Sequence, residues 1–439
     1  MNTKDFDAIV IGGGPAGSAA STALALMGRR VILVEREPGP RYHIGESLIP
    51  YTWFPLQRIG MLEKMKASHF VHKHSVQFVS TTGKLSQPFY FFKHTDHPCA
   101  QTWQVLRSEF DAMLLDNARE KGVEVRQGVT AREPIRDPSG AVIGVEAVDA
   151  GGNALTLRAP VTVDASGRDM FMASRHRWRI NDPQLRKMAI WSYWKGAKRV
   201  PGVDEGATIV AYVPEKGWFW YIPLPDDIIS VGIVAEADYL YRDGRDLDQI
   251  YAREVAGQPW VREQVAPGTK TMPCKVTSDY TYRCRHCAAD GVVLVGDAFQ
   301  FLDPVFSSGV FIALQSGVMA ADAVNAALDA EDYSAARFTE YGQKLNAGIE
   351  SMRRLVYAFY DQNFNFGALF RKYPHLHRDL TDCLIGNLWK DFDPLFTAVA
   401  EFAQVPPRIE HGGPAMEVPN SKFKNSKLET EAAGANSEL

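Results

Sequence analysis

Cysteine, excess positive charge and long apolar runs are all scarce in this 439-residue chain. Its five cysteines are few and odd in number, which favours reduced thiols in a cytoplasmic protein over a disulfide framework. The formal net charge is -4, so no basic field predicts binding to nucleic acid. No run of about 18 uncharged apolar residues predicts a membrane span, and the polar first residues predict no signal peptide.

The pattern of cysteines and histidines does not predict a metal site. Cys284, His286 and Cys287 are close in sequence, but structural zinc needs a second pair of ligands and only Cys274 is near. A redox pair stands at a turn before a helix, whereas this segment leads toward a strand. We therefore expect ordinary cysteines and no metal.

The beginning of the chain predicts a strand, a helix and a second strand. Residues 6–11 and 30–35 are apolar runs, and residues 15–27 between them are rich in alanine and helical in pattern. This βαβ arrangement is the context in which a glycine-rich turn binds a dinucleotide.

Three glycines in that turn fit the pattern G-x-G-x-x-G. Gly12 permits the tight turn, Gly14 lets a pyrophosphate approach the backbone, and Gly17 lets helix and strand pack closely. The pyrophosphate then lies at the positive end of the helix. Glu35 ends the second strand, where its carboxylate can accept hydrogen bonds from ribose hydroxyls, and we assign the neighbouring Arg36 to the same site.

Three further segments resemble motifs of the glutathione-reductase-like flavoproteins. Residues 295–298, Val-Gly-Asp-Ala, resemble the second FAD motif, which assigns Gly296 and Asp297 to the cofactor. Residues 163–168 resemble the middle motif, and Arg107 begins a segment similar to the Arg-x-x-Phe-Asp helix start, directed toward the cofactor. Only one G-x-G-x-x-G occurs, so the resemblance implies FAD that is reduced by a separate flavin reductase.

Residues 217–223 read Gly-Trp-Phe-Trp-Tyr-Ile-Pro. Alternate residues of a strand share a face, so Trp218, Trp220 and Ile222 form one wall and the intervening aromatic residues form the other. A buried strand of a sheet is the alternative interpretation. The full pattern, including Pro223, resembles the signature of the flavin-dependent halogenases, in which the two indoles keep an organic substrate away from the flavin while small ions pass.

That resemblance implies an enzyme that uses reduced FAD (FADH2), O2 and chloride or bromide to halogenate an aromatic ring. Lys73 follows residues 45–48, Gly-Glu-Ser-Leu, in a frame similar to that of the family's catalytic lysine. His74 and Ser75 stand where the family usually has an aromatic residue and glycine. By resemblance, Lys73 polarises hypohalous acid or forms a haloamine.

Residues 301–309 resemble the Asp-Pro-x-x-Ser-Ser-Gly stretch of halogenases that act on pyrroles and phenols. The amides of Ser308 and Gly309 at the helix start could hold the halide, although a plain serine N-cap is compatible with the same pattern. Phe306 occupies the place where tryptophan halogenases have a glutamate, and we assign it, together with Pro223, to the wall of the active site. The resemblance therefore implies a pyrrole or phenol, free or tethered to an acyl or peptidyl carrier protein, rather than an indole.

The expected fold is α/β, with a Rossmann-type FAD-binding domain, an inserted mixed β-sheet substrate domain and a C-terminal helical segment. An aromatic monooxygenase and a flavin-linked reductase resembling geranylgeranyl reductase remain open as alternatives, and the chain is expected to be a monomer or homodimer. An aromatic-rich stretch lines the pocket or forms helix-packing core, and it comprises Tyr357, Phe359, Tyr360, Phe364 and Phe366. The expected divisions are residues 1–70, 101–175 and 270–345 for the FAD-binding domain, 71–100 and 176–269 for the substrate domain, 346–410 for the helical region and 411–439 for a disordered tail.

Overall fold

The computed structural model describes residues 5–214, 217–278, 281–361 and 363–415. Its strands are β1 Ala8–Ile11, β2 Val31–Glu35, β3 Val71–Lys73, β4 Ser75–Val79, β5 Phe89–Tyr90, β6 Thr102–Gln104, β7 Glu124–Gln127, β8 Thr130–Arg136, β9 Val142–Val148, β10 Ala154–Arg158, β11 Val161–Asp164, β12 Arg179–Asn181, β13 Lys187–Lys195, β14 Thr208–Val213, β15 Gly217–Pro223, β16 Ile228–Glu236, β17 Thr269–Lys270, β18 Lys275–Ser278, β19 Tyr282–Cys284, β20 Ala288–Ala289, β21 Val292–Leu294 and β22 Gln300–Phe301. Its α-helices are α1 Pro15–Leu26, α2 Trp53–Arg58, α3 Leu62–Ala67, α4 Arg107–Glu120, α5 Phe171–His176, α6 Ala237–Leu240, α7 Leu247–Gly257, α8 Pro259–Val265, α9 Gly309–Asp329, α10 Thr339–Tyr360, α11 Phe366–Lys372, α12 His377–Ile385 and α13 Asp393–Val399.

A six-stranded sheet in the order β20-β21-β11-β1-β2-β7 forms the first layer. All pairs are parallel except β20 with β21. Strands β1 and β2 are buried along their whole length, as expected for a parallel sheet that is covered on both faces. Pro15 at the first position of α1 fixes the start of the helix that connects them, and the predicted βαβ unit is confirmed.

A second, larger sheet has the order β17-β13-β16-β15-β14-β4-β5, with β18 also pairing with β13. Strand β15 lies in its middle and is fully buried. Trp218 and Trp220 pack into the core shared with the six-stranded sheet, whereas Phe219 and Tyr221 pack into a separate core on the opposite face. The alternation predicted from the sequence is therefore confirmed.

The C-terminal third is mainly helical, and α9 and α10 are its two long helices. Within the described ranges, α9 is the one helix long and apolar enough to cross a membrane by length and composition. It packs against α1 and α2, and 61% of its most apolar window is buried inside the protein. This burial is typical of a core helix.

Two of the expected boundaries differ from the structure. The second sheet continues beyond residue 269, because β18 pairs with β13. Residues 411–415, the first part of the expected tail, are bound to the body: Gly412 N donates to Arg285 O at 3.0 Å and Ala415 N donates to Ala288 O at 2.8 Å. The remaining tail residues, 416–439, lie outside the described part of the chain.

Candidate active site

A cavity of about 550 Å³ is lined by residues of both sheets. The glycine-rich turn before α1 lines one part of it, and the wall formed by Trp218, Trp220 and Ile222 lines another. Asp297, in the turn after β21, and Gly309, the first residue of α9, contribute further lining. The carboxyl ends of parallel strands are where α/β sheets bind their ligands.

The glycine-rich turn leaves open space only where a phosphate would need it. Gly12 has φ +105°, and a Cβ on it would lie 2.3 Å from Ala165 O. A Cβ on Gly17 would lie 1.9 Å from Gly12 O, so this glycine serves close packing. A Cβ on Gly14 would meet no atom within 4 Å, and Gly14 faces the cavity at the N-terminus of α1. This geometry fits a pyrophosphate.

Glu35 organises that turn as well as facing the cavity. Its Oε2 accepts a hydrogen bond from Gly13 N at 2.6 Å, and its Oε1 accepts one from Glu37 N at 2.9 Å. The side chain is buried and still lines the cavity, where a ribose could reach it. Arg36 also lines the cavity, but it is exposed and pairs with Asp169.

Arg107 and Asp297 lie together against the cavity, whereas Gly296 does not line it. The Arg107 guanidinium donates two hydrogen bonds to Asp111, both of 2.9 Å. Burial raises the pKa of Asp297 to about 6, opposed by the positive charge of Arg107. Gly296 N donates to Ser316 Oγ at 2.9 Å, and a Cβ there would press on helix α1, so this glycine has a packing role.

His43 lines the same cavity, and no sequence motif points to it. Burial lowers its pKa to about 4, so the imidazole is neutral at physiological pH. Its Nε2 is buried without a hydrogen-bond partner among the described residues. An orphaned ring nitrogen, an open glycine cradle and a half-buried Asp297 together fit FAD, and these residues would hold it.

The tryptophan pair forms the wall predicted from the sequence. Trp218, Trp220 and Ile222 line the cavity, and Pro223 is the buried end of the strand. The two indole centroids are 6.2 Å apart with their planes tilted by 54°. Trp218 Nε1 donates to the hydroxyl of Tyr360 at 2.8 Å, which ties the wall to the end of α10.

Lys73 is fully buried beside this cavity without lining it. Its Nζ donates to Ser47 Oγ at 2.8 Å and to Leu48 O at 3.0 Å, and lies 5.7 Å from the centroid of the Phe91 ring. Burial lowers the pKa of Lys73 to about 7. Across the described ranges, no carboxylate lies within ion-pair distance of this amine to restore the charge.

Ser47, which contacts Lys73, and its neighbour in sequence, Glu46, extend the site beyond the sequence prediction. Ser47 lines the cavity, and its Oγ lies 2.8 Å from Thr208 Oγ1, so it connects the lysine to the wall of the cavity. Glu46 lines the cavity as well, is almost fully buried, and accepts a hydrogen bond from the Tyr193 hydroxyl. Burial raises the pKa of Glu46 to about 7. From the sequence, residues 45–48 serve only to locate Lys73, and no role is predicted for Glu46 or Ser47.

The turn before α9 presents two free amide groups near the cavity. Ser307 adopts a left-handed conformation, with φ +56°, and α9 starts two residues later at Gly309. Within the described chain, the amides of Ser308 and Gly309 donate no hydrogen bond. Ser308 is the N-cap residue of α9, but its side chain makes no capping hydrogen bond within the described chain.

Phe306 does not line the cavity, contrary to its assignment to the wall, because its side chain packs against helix α10. Its ring meets that of Phe359 edge to face, with centroids 5.7 Å apart. Tyr360 contacts the tryptophan wall, whereas Tyr357 donates to Asp182 and Phe366 packs on Phe78. The aromatic stretch therefore combines wall contacts with ordinary packing.

The sequence profile described as tryptophan halogenase matches residues 7–107 and 81–384. A tryptophan 2-halogenase of Chondromyces crocatus is 34% identical over 362 residues, which cover 81% of this chain and 68% of that protein. The 1H-pyrrole-2-carbonyl-(peptidyl-carrier protein) brominase of Pseudoalteromonas luteoviolacea (strain 2ta16) is 32% identical over 368 residues, which cover 83% and 88%. The solved structure of the flavin-dependent brominase Bmp2 superposes with a TM-score of 0.81 at 29% identity and covers 90% of this chain and 97% of that one.

Proposed function

The chain belongs to the tryptophan halogenase family of flavin-dependent halogenases, and on that premise we propose that it halogenates an electron-rich ring with Lys73 as catalytic residue. It is an FAD-dependent enzyme of α/β fold, as the sequence predicts. The matches do not favour the monooxygenase or the reductase alternative. O2 is the oxidant: reduced FAD, when bound, would give it two electrons and chloride or bromide two more, so that hypohalous acid and water are formed.

The environment of Lys73 is the observation that carries this proposal. Two neutral oxygens, Ser47 Oγ and Leu48 O, hold a fully buried amine. Because its pKa is about 7, the ammonium and the neutral amine are both populated near neutral pH. The charged form can donate to hypohalous acid and polarise its oxygen–halogen bond, and the neutral form can accept the halogen on nitrogen.

The halide site is proposed at the start of α9. The left-handed backbone conformation of Ser307 sets the orientation of the Ser308 and Gly309 amides. Gly309 itself lines the cavity. Unpaired amides at the N-terminus of a 21-residue helix attract an anion through their N–H groups and the helix dipole. Chloride and bromide both fit this description.

The proposed substrate is a pyrrole or a phenol, free or tethered to a carrier protein. Phe306 fills the place of the second carboxylate with an aromatic ring that packs on Phe359. Without that carboxylate, the ring itself must be nucleophilic. The name of the brominase relative, which specifies a pyrrole on a peptidyl carrier protein, supports the tethered form.

A separate flavin reductase is the proposed source of reduced FAD. Within the described residues, the six-stranded sheet carries a single glycine-rich βαβ unit, and FAD accounts for it. A cytoplasmic location is proposed because all five cysteines are free and buried. We retain the division into FAD-binding, substrate and helical regions as a proposal, with β18 moved to the substrate sheet.

Replacing Lys73 with methionine tests the catalytic assignment, because methionine is an unbranched apolar side chain that fills the space of the lysine stem and lacks the amine. The variant is supplied with a flavin reductase, FAD, O2, and chloride or bromide, and products from phenols and carrier-bound pyrroles are measured by mass spectrometry. We expect product formation to fall by about 100-fold or more, with FAD binding and peroxide release retained.

Lys66→Met and Lys93→Met are matched controls, because both lysines are exposed and lie in the same part of the chain. Each should halogenate at the wild-type rate. A Lys73→Met enzyme that forms product at the wild-type rate would contradict the assignment of Lys73 as the catalytic residue.

A further inference from the structure

One hydroxyl at the end of α10 joins the tryptophan wall to the turn that precedes α9. The Trp218 Nε1–H donates to Tyr360 Oη at 2.8 Å, and Tyr360 Oη–H donates to Asp303 Oδ2 at 2.9 Å. Asp303 is fully buried, and its other oxygen accepts from Val305 N at 3.1 Å. Three elements far apart in sequence thus meet at a single phenol group.

The ring of Tyr360 is held in place from other directions. Lys187 Nζ lies 4.6 Å from its centroid, and this buried lysine pairs with Glu236 at 2.8 Å. The neighbouring Phe359 packs on Phe306. The hydroxyl is therefore presented to Trp218 by a constrained side chain.

The geometry points to Tyr360 as a positioning residue that fixes the Trp218 indole in the cavity wall. The same hydroxyl holds the indole at a fixed position relative to the turn that carries Ser308 and Gly309. An indole has one polar atom, which only donates, so its partner sets the orientation of the ring. If the hydroxyl is lost, the buried N–H must find another acceptor or stay unpaired, and the ring turns. A displaced indole opens the wall, and hypohalous acid escapes before it reaches the substrate.

This inference rests on the proposed function, and a matched variant separates it from a structural role. Tyr357 lies one turn earlier on the same helix and donates to Asp182 Oδ1 at 2.6 Å. Tyr357→Phe therefore removes the same chemical group from the same helix without touching the tryptophan wall. Both variants lose a hydroxyl, but only Tyr360→Phe should change the fate of the oxidant.

The first measurement is the halogenated product formed per O2 consumed, with hypohalous acid outside the protein trapped and counted as taurine haloamine and released peroxide counted separately. We expect Tyr360→Phe to lower product per O2 about tenfold, with the trapped oxidants rising to account for the difference. FAD affinity should stay at the wild-type value. Tyr357→Phe should retain wild-type coupling, and equal loss in both variants would overturn the inference.

The second measurement reads the contact itself in the protein without cofactor. The nine tryptophans give separate indole N–H signals after 15N labelling, and Trp218→Phe identifies the signal of Trp218. Tyr360→Phe should shift that signal and Tyr357→Phe should not. Asp303→Asn, which keeps an acceptor for Val305 N but no longer accepts from Tyr360, is the second variant and should shift the signal in the same way.

A Trp218 signal that stays at its wild-type position in Tyr360→Phe and Asp303→Asn would overturn the inference. A different result would contradict the proposed function: the wild-type enzyme would form no halogenated product from any ring offered. The indole signal still decides whether Tyr360 positions Trp218 in that case.

Discussion

At the residue scale, burial tunes several ionisable groups of the site toward neutral pH. It raises the pKa of Glu46 to about 7 and those of Asp297 and Asp303 to about 6. It lowers the pKa of Lys73 to about 7, and no carboxylate of the described residues forms an ion pair with this amine. pKa shifts of this size by desolvation are typical of catalytic groups. They allow several side chains of one site to change protonation state near neutral pH.

A buried lysine with a lowered pKa makes stability depend on pH in a defined direction. The unfolded chain binds a proton at Lys73 up to pH 10.5, whereas the folded protein releases it above about pH 7. Wild-type stability therefore gains about 1.4 kcal/mol per pH unit from this group between pH 7 and 10. We predict that Lys73→Met is more stable than wild type at pH 7 and that its advantage shrinks at that rate as pH rises.

Urea unfolding at several pH values checks this prediction. Lys93→Met, in which an exposed lysine is replaced, corrects for the removal of one positive charge from the protein. A difference between Lys73→Met and wild type that is constant from pH 6 to pH 10, relative to that control, would show that the amine stays charged in the folded state.

At the element scale, two glycines of the same turn have separable roles. Gly14 faces open space at the start of α1, so Gly14→Ala should leave the protein without cofactor as stable as wild type and weaken FAD binding. Gly17→Ala places a methyl group 1.9 Å from Gly12 O, so it should destabilise the fold itself by about 1–3 kcal/mol. Thermal unfolding without cofactor and titration with FAD distinguish the two variants. A Gly14→Ala protein that is less stable than wild type without cofactor would contradict a role of Gly14 in binding the pyrophosphate.

Strand β16 depends on a glycine that faces the tryptophan wall. A Cβ on Gly232 would lie 2.2 Å from Cζ2 of Trp220 and 2.5 Å from Cβ of Trp191. Gly232→Ala should therefore displace the Trp220 indole and cost about 1–3 kcal/mol of unfolding free energy. The double variant Gly232→Ala/Trp220→Phe should regain part of that loss, because phenylalanine lacks the clashing ring atom.

The control for this prediction is Gly257→Ala, at a helical glycine where a methyl group meets nothing within 4 Å. Its stability should equal or exceed that of wild type. If Gly232→Ala and Trp220→Phe acted additively in chemical unfolding, the two residues would not compete for the same space.

At the scale of the whole molecule, the sequence predicts those features that depend only on residues close together in the chain. The strand–turn–helix around Gly12 and the alternation of Trp218 and Trp220 follow from spacing along a few residues, and both are confirmed. The contacts of His43 and Tyr360 could not be predicted, because they depend on segments brought together by the whole fold. Burial of Lys73 behind Ser47 is of the same kind, since β3 and the segment before α2 meet only in three dimensions.

The substrate is the last property that the whole molecule decides. Phe306, which stands in the sequence where the tryptophan halogenases have a glutamate, packs on α10. We predict that only intrinsically nucleophilic rings react and that free tryptophan is halogenated about 100-fold more slowly than a phenol or a carrier-bound pyrrole. Since a tryptophan 2-halogenase is among the relatives, the three substrates must be compared directly, in competition, with products resolved by mass spectrometry. Efficient, regioselective chlorination of free tryptophan would contradict this substrate assignment and leave the membership in the halogenase family unchanged.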